Sequence, residues 1–139
     1  RIFTSDITAA VIATLRKLTS PTFDVDRHVD HLGSLLENGL EKVFEKYDRP
    51  FYIARQCSAF CIYFMDHAPV DFHDIAVNHD FAFDKKYRLQ LIEKGIFNFP
   101  MPIKQGSISF AHSVDDIQET IEKTGLVLEN LVQRKFKHA

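Results

Sequence analysis

Glycine and cysteine are both scarce in this sequence of 139 residues, and each shortage excludes a class of site. The five glycines stand apart and never cluster at the spacing of a phosphate-binding loop, so a nucleotide-binding domain is not expected. The only cysteines, Cys57 and Cys61, share one face of a predicted strand but lie too far apart to form a disulfide easily. We therefore expect two free, buried thiols.

The sequence also lacks a strong charge of one sign and a long apolar run. The formal net charge is −2, with 17 basic and 19 acidic residues interspersed, which gives no field that would attract nucleic acid or anionic lipid. Neither a run of about 18 apolar residues nor a secretory signal is present. We expect a cytoplasmic protein that binds neither nucleic acid nor membrane. Because the first residue is Arg1 and helical periodicity begins almost at once, we also expect a fragment or a processed product.

What is present is enough apolar surface for a real core. With 45% apolar and 12% aromatic residues, the chain is predicted to form a single domain over residues 1–139. Apolar periodicity predicts helices over about 6–19, 24–47, 83–94 and 113–134, with a helical turn over 72–77. Aromatic and β-branched runs predict strands over 51–55, 58–65, 96–99 and 107–110. The predicted fold class is α+β, a small antiparallel sheet of three to four strands covered by helices.

A loop rich in histidine and aspartate is one candidate for chemistry. The segment from Asp66 to Asp80 holds three histidines, whose imidazoles, together with the carboxylates, are zinc or iron ligands. The spacing matches no established ligand pattern, and a solvated loop is the alternative. His28 and His31, one helical turn apart, leave the same two alternatives open.

Two further residues have both a chemical and a structural interpretation. Ser113 begins a pattern that resembles a capping box with Asp116 in place of the usual glutamate, so a helix cap is favoured over a nucleophile activated by His112. Lys104 lies in a tight connection between Pro102 and Gly106, where a cation could hold a substrate carboxylate. A surface lysine is the alternative.

The last third of the chain has a recognisable order of segments. Residues 93–100 end a helix with Glu-x-Gly before a short strand, residues 106–113 read Gly-x-x-Ser-x-Ala-His-Ser, and an acidic helix start follows at 115–117. The alanine-rich stretch 9–15 and the strand 58–64 extend the pattern upstream. This order resembles the C-terminal small domain of class III aminotransferases, which are pyridoxal-phosphate enzymes of fold type I, and within them the glutamate-1-semialdehyde aminomutases.

The resemblance implies an incomplete active site. In that family, the lysine that binds the cofactor covalently and the aspartate that pairs with its ring nitrogen belong to a preceding large domain. The chain alone is therefore expected to bind no pyridoxal phosphate and to catalyse no transamination. Instead it would shape the active-site mouth and the interface of a homodimer, with the helix over about 6–19 packing on the large domain.

The resemblance also implies candidate contacts. Thr4 and Ser5 are candidates for contacting the cofactor phosphate of the partner subunit, and Lys104, Gln105 and Gly106 are candidates for contacting substrate. Lys104 stands where the aminomutases usually carry a glutamate, which leaves both an aminomutase and a related aminotransferase open.

Two other hypotheses belong to different classes of protein. The chain could be a stand-alone binding or oligomerisation module derived from the small domain, without catalysis. It could also be a small metalloprotein that binds zinc or iron through His67, His73 and His79.

Overall fold

The computed structural model describes residues 3–20 and 24–136, with side chains described for residues 7–20 and 24–132. In these ranges the chain forms five helices and three strands. In chain order they are α1 (Phe3–Leu18), α2 (Val25–Lys46), β1 (Tyr52–Gln56), β2 (Ala59–Tyr63), α3 (Phe72–Asn78), α4 (Phe81–Glu93), β3 (Gly106–Ser107) and α5 (Val114–Phe136).

The strands form one antiparallel sheet in the order β1-β2-β3. β1 and β2 make a hairpin in which Ile53 lies opposite Ile62, and β3 pairs with the start of β2. Gly106 is required in β3, because a Cβ atom there would lie 2.6 Å from the ring of Phe60. The short third strand therefore depends on a close approach that only glycine permits.

The core is formed by the long helices α2 and α5 together with side chains of the sheet and of α4. The apolar positions of α2 recur at helical spacing, and the residues fully buried include Leu32 and Phe44 of α2 and Val127 and Leu128 of α5. Burying each such side chain contributes about 2 kcal/mol before the entropy cost of ordering. The two helices approach closely at Gly39, where an added Cβ would lie 2.2 Å from Ile121 Cδ1.

Helix α1 differs from the other long helices because it buries none of its described side chains. Ile7, Val11 and Leu15 are 62%, 50% and 54% exposed, although they fall on one stripe of the helix. None of the helices in the described ranges combines the length and the apolar content needed to span a bilayer.

The structure confirms the α+β class, the antiparallel hairpin and the helical turn before α4. Gly95, the glycine of the Glu-x-Gly segment predicted to end a helix, follows α4 with a φ of 85°, a left-handed conformation that glycine adopts more readily than other residues. The thiols are free as predicted, but Cys57 lies in the hairpin turn with a φ of 53°, half-buried, and only Cys61 is buried in a strand. The prediction that both share a strand was therefore wrong.

The predicted strand over 96–99 is also wrong. Backbone carbonyls there accept hydrogen bonds from side chains: Asn98 Nδ2 donates to Ile96 at 3.4 Å, and Arg88 Nη1 donates to Phe99 at 3.4 Å. Pro100 and Pro102 supply no N–H for a ladder. The strand predicted over 107–110 is reduced to Gly106–Ser107, so the sheet has three strands in the described part of the chain.

Candidate functional site

A buried charged network lies at the end of β2 and along α4. His79 Nδ1 accepts the backbone N–H of Phe64 at 3.0 Å, which places the proton of a neutral ring on Nε2. Nε2 then donates to Asp84 Oδ2 at 3.1 Å, while Arg88 Nε donates to Asp84 Oδ1 at 2.6 Å. The side chains of His79 and Asp84 are fully buried and that of Arg88 is nearly so, so the ion pair is shielded from water.

This network fixes the connection that leads from α4 to α5. Asp84 Oδ2 also accepts the backbone N–H of Ile103 at 2.8 Å. Ile103 has a φ of 53°, a left-handed conformation that is strained for a β-branched residue and persists only where its surroundings impose it. Because Lys104 follows directly, the path of the backbone into Lys104 is set by a buried carboxylate on another element.

A cavity of about 330 Å³ lies beneath this connection. Lys104, Gln105 and Gly106, the three predicted substrate contacts, all line it. Gln105 Nε2 donates to Ser107 Oγ at 3.3 Å, whereas Lys104 has no ion-pair partner among the described residues. The remaining wall is mostly apolar and includes Leu36, Leu40, Phe60, Ile62, Leu91 and Ile96.

The charge of this wall is of one sign. Arg88 and Lys104 are the two ionised side chains that line the cavity, and no aspartate or glutamate lines it. The charge of Arg88 is balanced from behind by Asp84, so Lys104 supplies an unbalanced positive charge at the exposed rim. The arrangement can hold an anion without competition from a neighbouring carboxylate.

The predicted phosphate contacts, Thr4 and Ser5, fall at the start of α1. Their side chains lie outside the described residues, so their role stays a prediction.

The histidine-rich loop forms separate hydrogen-bonded pairs rather than one ligand set. His67 lies between Asp66, at 2.7 Å from Nδ1, and Asp74, at 3.0 Å from Nε2, while His79 belongs to the buried network and His73 is exposed. Hydrogen bonds with Asp66 first, and then Asp74, raise the pKa of His67 above its ordinary value. Across the described parts of the chain, no three histidine, cysteine, aspartate or glutamate side chains could hold a metal ion together.

Ser113 caps α5, as predicted. Its backbone N–H donates to Asp116 Oδ2 at 2.7 Å, and its Oγ accepts the backbone N–H of Asp116 at 3.2 Å. The hydrogen bond from the Ser113 N–H is the main cause that lowers the pKa of Asp116. His112 Nδ1 contacts Ser109 instead, at 2.9 Å from its backbone nitrogen, and the Ser113 hydroxyl donates to Asp116 Oδ2 at 2.8 Å, so the imidazole does not activate this hydroxyl.

The residues around the cavity do not by themselves fit pyridoxal phosphate. A self-contained site needs a lysine beside the reactive carbon, a carboxylate that faces the ring nitrogen, and N–H groups for the phosphate. The cavity has one lysine, at its rim, and no lining carboxylate. Asp84, the nearest buried carboxylate, already accepts three hydrogen bonds.

Comparison with known proteins shows that the chain is similar to a part of several enzymes. No protein-family model matches it. The solved structure of a glutamate-1-semialdehyde aminomutase from Pseudomonas aeruginosa PAO1 shares the fold, with a TM-score of 0.75 and 21% identity, over 86% of this chain and 26% of that chain. An omega-transaminase from Sphaerobacter thermophilus has a TM-score of 0.67 and 25% identity, over 82% of this chain and 25% of that one. The chain thus shares the fold of about a quarter of each of these two enzymes, as the predicted resemblance to class III aminotransferases implies.

Curated relatives make the relationship more specific. A glutamate-1-semialdehyde 2,1-aminomutase from Staphylococcus saprophyticus is 33% identical over 120 residues, and one from Staphylococcus haemolyticus is 32% identical over 120 residues. In both cases the match covers 86% of this chain but 27% of the relative. The chain is thus homologous to a part of the glutamate-1-semialdehyde aminomutases and spans about a quarter of their length.

Proposed function

We propose that this chain is the small domain of a pyridoxal-phosphate-dependent class III enzyme, an aminotransferase or an aminomutase, and that it forms a wall of the active site and part of a homodimer interface. The homology over 86% of this chain and 27% of the relatives is the observation that carries the proposal. One solved relative is described with PLP bound and another in complex with PMP, so the cofactor is expected in the whole enzyme.

The exposed apolar stripe of α1 supports the proposal that another part of the enzyme covers this helix. Five large apolar side chains along this helix are at least 44% exposed: Ile7, Val11, Ile12, Leu15 and Leu18. A contiguous apolar face of this kind marks a surface that another protein segment covers. Burying the exposed half of each side chain would contribute about 1 kcal/mol per residue. We propose that the large domain covers this face.

The connection that carries Lys104, Gln105 and Gly106 is the part that would face the substrate. These residues line the cavity, and the buried contact between Asp84 and Ile103 holds the backbone directly before them. Thr4 and Ser5 would contact the cofactor phosphate of the partner subunit. In this arrangement the chain binds and orients substrate and excludes water, while the large domain supplies the covalent chemistry.

The docking of α1 can be tested with a chimera. In the chimera, this chain replaces the part of the Staphylococcus saprophyticus aminomutase that corresponds to it, including the 120 matching residues, and Val11→Asp is compared in the chimera and in the isolated chain. In the isolated chain Val11 is exposed, so aspartate should change stability by less than about 0.5 kcal/mol. In the chimera it should cost about 2 kcal/mol or more, because a charge would be buried against the large domain.

Ala13→Asp is the matched control, since residue 13 is exposed on the opposite side of α1 and should have little effect in either protein. The free energy of unfolding is measured by urea denaturation. Equal effects of Val11→Asp in the chimera and in the isolated chain would refute the proposed docking of α1.

A further inference from the structure

We infer that the cavity beneath residues 96–107, which belong to the connection between α4 and α5, is itself a binding site for a small carboxylate that has an apolar group. The chain binds this ligand without any cofactor. This inference rests on the proposed function where that function places Lys104, Gln105 and Gly106 against the substrate. It adds the chemical class of the ligand and its binding to this chain without the cofactor.

The shape and size of the cavity indicate a ligand site. The cavity opens to solvent where Lys104 lies and measures about 330 Å³. That volume is at the lower end of the range for small-molecule sites. An apolar cavity of about 150 Å³ holds one benzene molecule, so the volume suits a ring with a short acidic chain.

The chemistry of the wall defines the two ends of the ligand. Leucine, isoleucine and phenylalanine side chains from α2, β2 and α4 form the inner wall, and they suit an aromatic or branched aliphatic group. Lys104 is exposed at the rim without an ion-pair partner in the described ranges, and no carboxylate lines the cavity to compete for it. An anionic group at the rim and an apolar body inside satisfy both features.

Residues 99–106 form the roof of the cavity, and contacts within the protein hold this segment in place before any ligand binds. Asp84 anchors Ile103 in its strained conformation, and Arg88 reaches the carbonyl of Phe99. At the other end, Gly106 lies directly against the ring of Phe60. Strained residues that the surrounding structure imposes are found at ligand clamps, and a roof fixed in this way lowers the entropy cost of binding.

Titration of the 139-residue chain with 3-phenylpropionate, followed by amide shifts in ¹H–¹⁵N NMR spectra, tests the inference. We expect saturable binding with a Kd of about 1 mM, as for a fragment of this size, with shifts concentrated at residues 60–62, 88–91 and 104–107. The neutral 3-phenylpropionamide, which has the same shape, should bind about fivefold more weakly.

Three variants separate the contribution of the Lys104 charge to binding from that of the apolar cavity. Lys104→Gln should reduce carboxylate binding to the level of the amide, while Lys86→Gln, an equal change of charge on an exposed residue outside the cavity, should leave it unchanged. Thr120→Phe, which fills the cavity from α5, should abolish binding of both compounds. Circular dichroism checks that each variant is folded. Because Lys104 is exposed, Lys104→Gln should fold normally, and it keeps the test valid even if Thr120→Phe unfolds.

Equal affinity for the acid and the amide would overturn the inference, as would shifts outside the cavity or no saturation at about 10 mM, ten times the expected Kd.

Discussion

Among the residues that hold the connection between α4 and α5 in place, Asp84 of α4 should be the one whose replacement with alanine is most destabilising. The carboxylate accepts hydrogen bonds from Arg88, His79 and the backbone of Ile103, and it has no exposed surface. Removing one partner of a buried ion pair costs about 3–5 kcal/mol. Arg88 lines the cavity and can recover some water, so about 3 kcal/mol applies to the ion pair. The unpaired N–H of buried His79 adds about 1 kcal/mol, for a total of about 4 kcal/mol.

Urea denaturation followed by circular dichroism measures this change. With a slope of about 2 kcal/mol/M, the midpoint should fall by about 2 M. Asp115→Ala is the matched control, because Asp115 is exposed in the first turn of α5, and its removal should cost about 0.5 kcal/mol or less.

A second substitution tests whether the unpaired charge of Arg88 causes the loss of stability. In the Asp84→Ala background, Arg88→Met removes the unpaired cation and should restore about 2 kcal/mol. The buried ion pair does not stabilise the protein as proposed if Asp84→Ala lowers stability no more than Asp115→Ala, or if adding Arg88→Met makes the protein less stable still.

Two further predictions concern pH and helix packing. The pKa of His67 is raised by its two carboxylate neighbours. The contribution of His67 to folding stability is therefore fully present below the ordinary histidine pKa of 6.5 and is lost as pH rises through the raised pKa. The gap in stability between the native chain and His67→Gln should therefore be larger at about pH 5.5 than at pH 8.5 in thermal denaturation, and an equal gap would contradict this assignment. Gly39→Ala should lower the free energy of unfolding by about 1 kcal/mol because its methyl group meets Ile121, whereas Gly125→Ala, with 3.9 Å to its nearest neighbour, should raise it by about 0.5 kcal/mol. Equal effects of the two alanines in urea denaturation would contradict the close contact.

The elements with strong local signals could be predicted from the sequence. The stripe of α2, the capping box at Ser113 and the left-handed Gly95 all follow from short-range rules of periodicity and backbone geometry. The homology of the last third could be predicted from the order and spacing of its segments. Residues 96–99 have the composition of a strand but not its structure, because Asn98 and Arg88 bind the carbonyls that a neighbouring strand would need.

The buried network could not be predicted, because its partners come from separate elements. Asp84 and Arg88 are one helical turn apart, a spacing typical of an exposed ion pair. His79 belongs to a loop whose histidines suggested a metal site, and Ile103 contributes only a backbone N–H. Only the fold brings these groups together and shows that the ion pair is buried. The same is true of the cavity, whose wall comes from α2, β2, α4, α5 and the 96–107 connection.

Absorbance titration with pyridoxal phosphate determines whether the lysine that binds the cofactor lies outside this chain, when the isolated chain and the chimera that carries the large domain of the Staphylococcus saprophyticus aminomutase are measured side by side. The chimera should develop the visible absorbance of a lysine-bound cofactor, and substituting the large domain's cofactor lysine should abolish it. The isolated chain should show no saturable band. A saturable band in the isolated chain that disappears on Lys104→Gln would contradict the proposal that the large domain supplies the cofactor lysine, because this chain would then bind the cofactor covalently by itself.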